Sequence, residues 1–128
     1  MPQQRLKELT ILIVDDDADI LDGIELALRA EGATTCCAAD GSEAISVFQD
    51  RAPDVVVLDM MLPKRSGFLV LEDLMAADVP PVVVMVTANE GQRHQVYARD
   101  LGVHAYLHKP IPLQHLIDTI ADLTGADQ

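Results

Sequence analysis

The chain has 128 residues, the size of one ordinary domain with its own hydrophobic core. Hydrophobic residues make up 49% and aromatic residues only 3%, which argues against disorder and indicates an aliphatic core. The net charge of −12 repels nucleic acid and anionic membranes, so we expect no direct binding to nucleic acid and none to a membrane. Because no apolar run approaches the length of a membrane span and no leader-like segment opens the chain, we expect a cytoplasmic location.

The first half of the chain predicts strands and helices in alternation. The continuous apolar run at 11–14 is typical of a strand buried on both faces. Apolar residues then recur at helical spacing from 20 to 28, and Gly32 ends that helix. Residues 33–39, ATTCCAA, predict a more polar strand suited to a sheet edge, and residues 42–49 a short helix ahead of Pro53. Residues 55–58, VVVL, predict another fully buried strand.

The second half continues the alternation. Pro63 and Gly67 mark a loop, after which hydrophobic residues from 68 to 75 predict a helix that stops before Pro80. Residues 82–86, VVVMV, predict a central strand. Residues 90–101 predict a poorly amphipathic helix of low local stability. A short strand at 105–108 and a closing helix from 113 to about 123 complete the series.

Five strand–helix repeats predict an α/β fold, a doubly wound parallel five-stranded sheet with helices on both faces. Right-handed crossovers limit the possible topologies, and the most apolar strands must lie inside. The strand order 2-1-3-4-5 satisfies both conditions. We expect a single domain over residues 1–128, with an N-terminal extension at 1–9 and a C-terminal tail at 124–128.

Polar side chains follow the ends of four predicted strands. Asp16, Asp59, Thr87 and Lys109 each come at the end of an apolar run, and the carboxyl ends of parallel strands meet at one edge of a sheet. Because neighbouring strands lie about 4.8 Å apart, Asp16 and Asp59 could share one small cation. Two carboxylates with water and phosphate oxygens suit Mg²⁺. For Asp17, by contrast, the sequence favours a helix N-cap.

Asp59 is the candidate nucleophile of this edge, since a carboxylate can accept a phosphoryl group. Lys109 would neutralise the transferring group, while the Thr87 hydroxyl and the Ala88 backbone N–H would donate hydrogen bonds to its oxygens. Taken alone, Thr87 would be an ordinary strand residue and Lys109 a solvated surface lysine. Their shared edge with Asp16 and Asp59 favours the site.

Four motifs, ILIVDDD, DMMLPKRSG, VVVMVTA and YLHKP, occur in this order, and together they resemble the response-regulator receiver domain of two-component signalling over essentially the whole chain. The resemblance implies a flavodoxin-like or CheY-like fold and a cis Lys109–Pro110 bond. The site residues it implies are the phosphoacceptor Asp59, the Mg²⁺ ligands Asp15, Asp16, Asp59 and the Met61 main-chain carbonyl, the phosphoryl-binding Lys109, and the switch residues Thr87 and Tyr106.

The resemblance also implies the function. A histidine kinase or phosphotransfer protein would donate the phosphoryl group, and the face built from the fourth helix, fifth strand and fifth helix would then change shape. That face would contact a downstream protein target or output domain, and the fourth and fifth helices could pair in a phosphorylation-dependent homodimer. Beyond its own phosphorylation and autodephosphorylation, the chain would not be an enzyme. As a further hypothesis, Met61 and Asn89 tune the lifetime of the phosphoryl group, because each stands two residues after a site residue.

The same residues allow other interpretations. A phosphatase of the haloacid dehalogenase type also uses an aspartate nucleophile, and Asp15-Asp16-Asp17 offers its D-x-D, but the chain has no room for a cap and the candidate nucleophile ends the third strand. An EF-hand loop fails because Ile20 stands at its glycine position. A receiver that cannot be phosphorylated would have lost site residues, and none is lost. A disulfide between Cys36 and Cys37 is disfavoured, because neighbouring strand residues point to opposite faces, and the pair lacks the CxxC spacing of a redox site. We therefore predict that both are small buried hydrophobes.

Overall fold

The computed structural model describes residues 4–88 and 91–125. In the described chain, five strands and five helices alternate in the predicted order, and each predicted element is present within a few residues of its expected ends. The strands are β1 (Thr10–Val14), β2 (Thr34–Ala38), β3 (Val55–Asp59), β4 (Val82–Thr87) and β5 (Ala105–His108). The helices are α1 (Ala18–Ala30), α2 (Gly41–Arg51), α3 (Gly67–Met75), α4 (Gln92–Asp100) and α5 (Leu113–Thr124).

The five strands form one parallel sheet in the order β2-β1-β3-β4-β5. This confirms the predicted topology. The inner strands β1, β3 and β4 are the continuous apolar runs, and they are buried on both faces. The less apolar strands β2 and β5 form the two edges of the sheet. An edge strand is less completely buried than a central one, so its polar residues lose less contact with water.

Alternate residues of each strand point to opposite faces of the sheet, and each face carries its own hydrophobic cluster. On one face Ile11, Ile13 and Val57 pack with the buried sides of α1 and α5. On the other face Leu12 and Leu58 pack with residues of α2, α3 and α4. The helix α4 contributes a single fully buried side chain, Ala98, in keeping with its predicted poor amphipathicity.

Residues 4–9, predicted as part of an extension, pack against the rest of the domain. Leu6 is 0% exposed and belongs to the cluster between the sheet, α1 and α5. Its backbone N–H donates to the Glu31 carbonyl at 2.9 Å, and the Arg5 guanidinium pairs with Asp118 of α5. The described part of this segment therefore contacts the C-terminal end of α1 and the middle of α5.

The two cysteines of the edge strand β2 are free thiols. Cys36 is buried as predicted, whereas Cys37 is half-buried and its thiol donates to the Glu25 carboxylate at 3.1 Å. The Thr35 hydroxyl donates to the same oxygen at 2.9 Å. Burial, together with the hydrogen bond to Glu25, raises the pKa of Cys37 to about 12.

Within the described residues, no helix combines the length and the apolar character needed to cross a membrane.

Candidate functional site

Three carboxylates converge at the carboxyl edge of the sheet, where β1 and β3 lie side by side. Asp15, Asp16 and Asp59 each offer an oxygen within 4.8 Å of the others. Asp15 is 3% exposed and Asp59 is 6% exposed, whereas Asp16 faces solvent. The structure thus brings together the three carboxylates that the sequence predicted as a set.

Both buried carboxylates are held by the loop that follows their own strand. Asp59 Oδ1 accepts the backbone N–H of Met61 at 3.1 Å, and Asp15 Oδ1 accepts that of Asp17 at 2.9 Å. These are the local side-chain-to-backbone bonds that aspartate makes two residues ahead. The second oxygen of each carboxylate contacts Lys109 instead.

Lys109 reaches both carboxylates from the position directly after β5. Its Nζ lies 2.7 Å from Asp15 Oδ2 and 3.3 Å from Asp59 Oδ2, and its side chain is 18% exposed. The Lys109 backbone N–H donates to the Thr87 carbonyl at 2.9 Å, which extends the β4–β5 pairing to the lysine. The Lys109–Pro110 bond is cis, as the resemblance implied.

The environment changes the proton affinity of two of these groups. Burial raises the pKa of Asp59, an effect that the Met61 N–H and the charge of Lys109 oppose only in part. Burial alone would lower the pKa of Lys109, but its hydrogen bond to Asp15 and the charges of Asp59 and Asp15 outweigh that effect and raise the pKa. Lys109 is therefore held as a cation beside a poorly solvated carboxylate.

The donor set suits a small divalent cation. All three clustered side chains offer carboxylate oxygen, which Mg²⁺ prefers. Three carboxylates and one ammonium leave an excess of two negative charges, and Asp16 is exposed to solvent. Asp15, Asp16 and Asp59 could therefore hold Mg²⁺, while the contribution of the Met61 carbonyl stays a prediction.

The remaining predicted residues lie around this centre. Thr87 is fully buried at the end of β4, next to His108 in the strand pairing, and Ala88 beyond it is exposed. The Met61 side chain is 63% exposed. Asn89 lies outside the described residues, so its proposed tuning role stays a prediction.

Tyr106 of β5 contacts a residue that the sequence analysis missed. Its hydroxyl lies 3.8 Å from the sulfur of Met60, the neighbour of Asp59, and its ring packs edge-on against His108 at 5.5 Å. Met60 is 3% exposed. The apolar residue directly after Asp59 was the available signal, but only the folded chain shows that it reaches β5.

Comparisons with known proteins agree with this geometry. A family model described as "Response regulator receiver domain" matches residues 11–121. The fold is similar to a CheY-like response regulator receiver domain protein from Methanospirillum hungatei JF-1, with a TM-score of 0.88 and 29% identity, covering 95% of this chain and 96% of that one. A putative response regulator from Chloroflexus aurantiacus J-10-fl gives a TM-score of 0.86 and 28% identity, covering 93% and 99%.

Receiver folds of this kind also occur within longer proteins. NtrX from Brucella abortus matches with a TM-score of 0.80 and 29% identity, over 93% of this chain but only 27% of that one.

Proposed function

The chain belongs to the response regulator receiver domain family, and on that premise we propose that it is a signalling switch activated by phosphorylation of Asp59. The observation that carries the proposal is the position of Lys109, whose ammonium contacts the carboxylates of Asp15 and Asp59 together. A half-buried lysine shared by these two carboxylates supports a role in neutralising an incoming phosphoryl group. The donor would be a histidine kinase or phosphotransfer protein.

The transfer step uses the chain's own groups. A carboxylate oxygen of Asp59 attacks the phosphorus of a phosphohistidine, a P–O bond forms, and the P–N bond breaks as the imidazole leaves. Lys109 neutralises the phosphoryl oxygens, with the Thr87 hydroxyl and the Ala88 backbone N–H as hydrogen-bond donors. Mg²⁺, when held by the three carboxylates, supplies further positive charge for the same oxygens. Water later attacks the phosphorus of the acyl phosphate, the bond to the Asp59 oxygen breaks and inorganic phosphate leaves, so the free carboxylate is regenerated without turnover of a metabolite.

The proposed output is a change in the face formed by α4, β5 and α5. Met60 supports this route, because it directly follows Asp59 in the chain and its sulfur is close to the Tyr106 hydroxyl. The helix α4 supports it too, since a helix with one fully buried residue can shift at small cost. This face would dock on a downstream protein or output domain, or pair α4 and α5 in a phosphorylation-dependent homodimer.

Phosphorylation by a small-molecule donor tests the proposal directly. With acetyl phosphate and Mg²⁺, intact-mass spectrometry after acid quenching should show one phosphoryl adduct, which chelation of the metal prevents. Peptide mapping should place the adduct on Asp59. Asp59→Asn should abolish it. Asp54→Asn, at an exposed carboxylate directly before β3 and therefore at the amino ends of the strands, should leave it unchanged.

Two outcomes would contradict the proposal. An adduct that persists in Asp59→Asn would move the acceptor elsewhere. Sustained release of phosphate from a phosphomonoester, with many turnovers for each protein molecule, would instead favour the phosphatase interpretation.

A further inference from the structure

The loop that follows β3, residues 60–66, rests on the junction between β2 and α2. The Gly41 backbone N–H donates to the Pro63 carbonyl at 3.3 Å. Next to it, the Lys64 ammonium lies 3.6 Å from the Asp40 carboxylate. The Asp40 side chain also caps α2 by accepting the Glu43 N–H at 2.8 Å. The junction, which carries none of the proposed chemistry, thus holds successive residues of the loop.

Gly41 is the point of closest approach. A Cβ built on Gly41 would lie 2.2 Å from the Arg65 carbonyl oxygen and 2.5 Å from the Arg65 Cβ. These neighbours are a backbone atom and the root of a side chain, so neither can swing aside. Gly41 does not have a positive φ, and an alanine would therefore fit its backbone conformation. It is the lack of space, rather than backbone strain, that requires glycine here.

The far end of the loop cannot absorb a displacement. The Gly67 N–H donates to the Met60 carbonyl at 2.9 Å, and a Cβ on Gly67 would lie 2.5 Å from the Asp59 carbonyl oxygen. The loop is therefore closed tightly at its Met60–Gly67 base. We therefore expect a displacement of Arg65 to be transmitted to the part of the loop between Met60 and Arg65. In that part, Met61 donates its backbone N–H to the Asp59 carboxylate.

We propose that Gly41 is a positioning residue for the phosphoacceptor site, acting through Pro63 and Arg65 on Met61 and Asp59. The inference rests on the proposed function of Asp59. Its physical basis is that a site built for one small cation and one phosphoryl group tolerates little misplacement, and an error of 1 Å can cost roughly a hundredfold in rate.

The test compares the same substitution at two helical glycines. In Gly41→Ala the new methyl group meets Arg65, whereas in Gly23→Ala, on α1, it meets nothing within 4 Å. Mg²⁺ affinity is measured by calorimetry on the intact chain, with the Met61 amide resonance as a local probe and urea unfolding as a check on the fold. We expect Mg²⁺ to bind about tenfold more weakly to Gly41→Ala and phosphorylation to slow by roughly ten- to a hundredfold. Gly23→Ala should stay within about twofold of the wild type.

A folded Gly41→Ala protein that binds Mg²⁺ as the wild type does would overturn the inference. If that variant does not fold, Lys64→Gln decides. Loss of a nearby positive charge should by itself tighten cation binding, whereas loss of the Asp40 contact should loosen the loop and weaken binding about twofold. Weaker binding supports the inference, and unchanged or tighter binding overturns it. Failure of the wild type to form the Asp59 adduct would instead overturn the proposed function.

Discussion

Replacing Lys109 by methionine keeps the length of the side chain but leaves the acidic cluster without its internal cation. The two contacts, at 2.7 and 3.3 Å, correspond to about 5–6 kcal/mol each of Coulomb attraction at an effective dielectric constant near 20. Most of that energy offsets the cost of burying the charges, and removing one partner of a buried pair typically costs about 3–5 kcal/mol. Because Asp59 can take up a proton, we expect a loss of about 3 kcal/mol at pH 7 without Mg²⁺.

The pH dependence follows from the direction of the Asp59 shift. Its folded-state pKa is raised, mainly by burial, and the Lys109 charge is one of the effects that keep it from rising further. In the variant the folded pKa therefore rises more. A group with a raised folded pKa favours folding below its unfolded pKa, about 3.9, and loses that contribution as pH increases through the folded value. The deficit of Lys109→Met should thus shrink from pH 7 toward pH 4.

Mg²⁺ should act in the opposite direction to the substitution. The metal ion replaces the missing positive charge and meets no repulsion from the lysine, so we expect tighter Mg²⁺ binding in Lys109→Met. Each tenfold gain in affinity adds about 1.4 kcal/mol of stabilisation at saturating ion. Phosphorylation of Asp59 should nevertheless fall, because the lysine that contacts the phosphoryl group is gone.

Urea unfolding followed by circular dichroism, with and without Mg²⁺, measures these effects. Lys7→Met, at an exposed lysine, is the control and should change the free energy of unfolding by less than about 0.5 kcal/mol. A deficit below about 1 kcal/mol for Lys109→Met, or one that Mg²⁺ leaves untouched, would refute the reasoning.

Three shorter predictions follow from other parts of the fold. Leu6→Ala should lower the free energy of unfolding by about 2–4 kcal/mol, because Leu6 is fully buried; a loss below about 1 kcal/mol would show that residues 4–9 contribute little. Cys37, with a pKa of about 12, should react slowly with a disulfide reagent at pH 8 in Cys36→Ala protein and rapidly in urea, and its contribution to stability should decline as pH rises above about 9. Equal rates would contradict this. Met61→Asn should speed autodephosphorylation, and rates equal to the wild type would end the shielding hypothesis.

Much of the fold was predictable because it depends on local patterns. The continuous apolar runs identified β1, β3 and β4 as central strands, and the more polar ATTCCAA run identified β2 as an edge. The Asp17 cap of α1 was predictable for a similar reason, since it uses atoms within three residues of one another. In a parallel sheet of the order 2-1-3-4-5, β1 and β3 are neighbours, so Asp15, Asp16 and Asp59 were expected to meet at its carboxyl edge.

Contacts between distant segments were decided by the tertiary structure alone. Strand periodicity puts Lys109 at the right edge, but the path of its side chain determines that it contacts both Asp15 and Asp59. Likewise, nothing in the local sequence of Leu6 distinguishes a buried anchor from a residue in an exposed extension. The approach of Gly41 to Arg65 brings together the start of α2 and a loop residue 24 positions further along the chain. The periodicity of the sequence determines which face of a strand or helix a side chain occupies. Which side chains from distant segments then touch is determined only when the sheet and the helices on both of its faces are packed together.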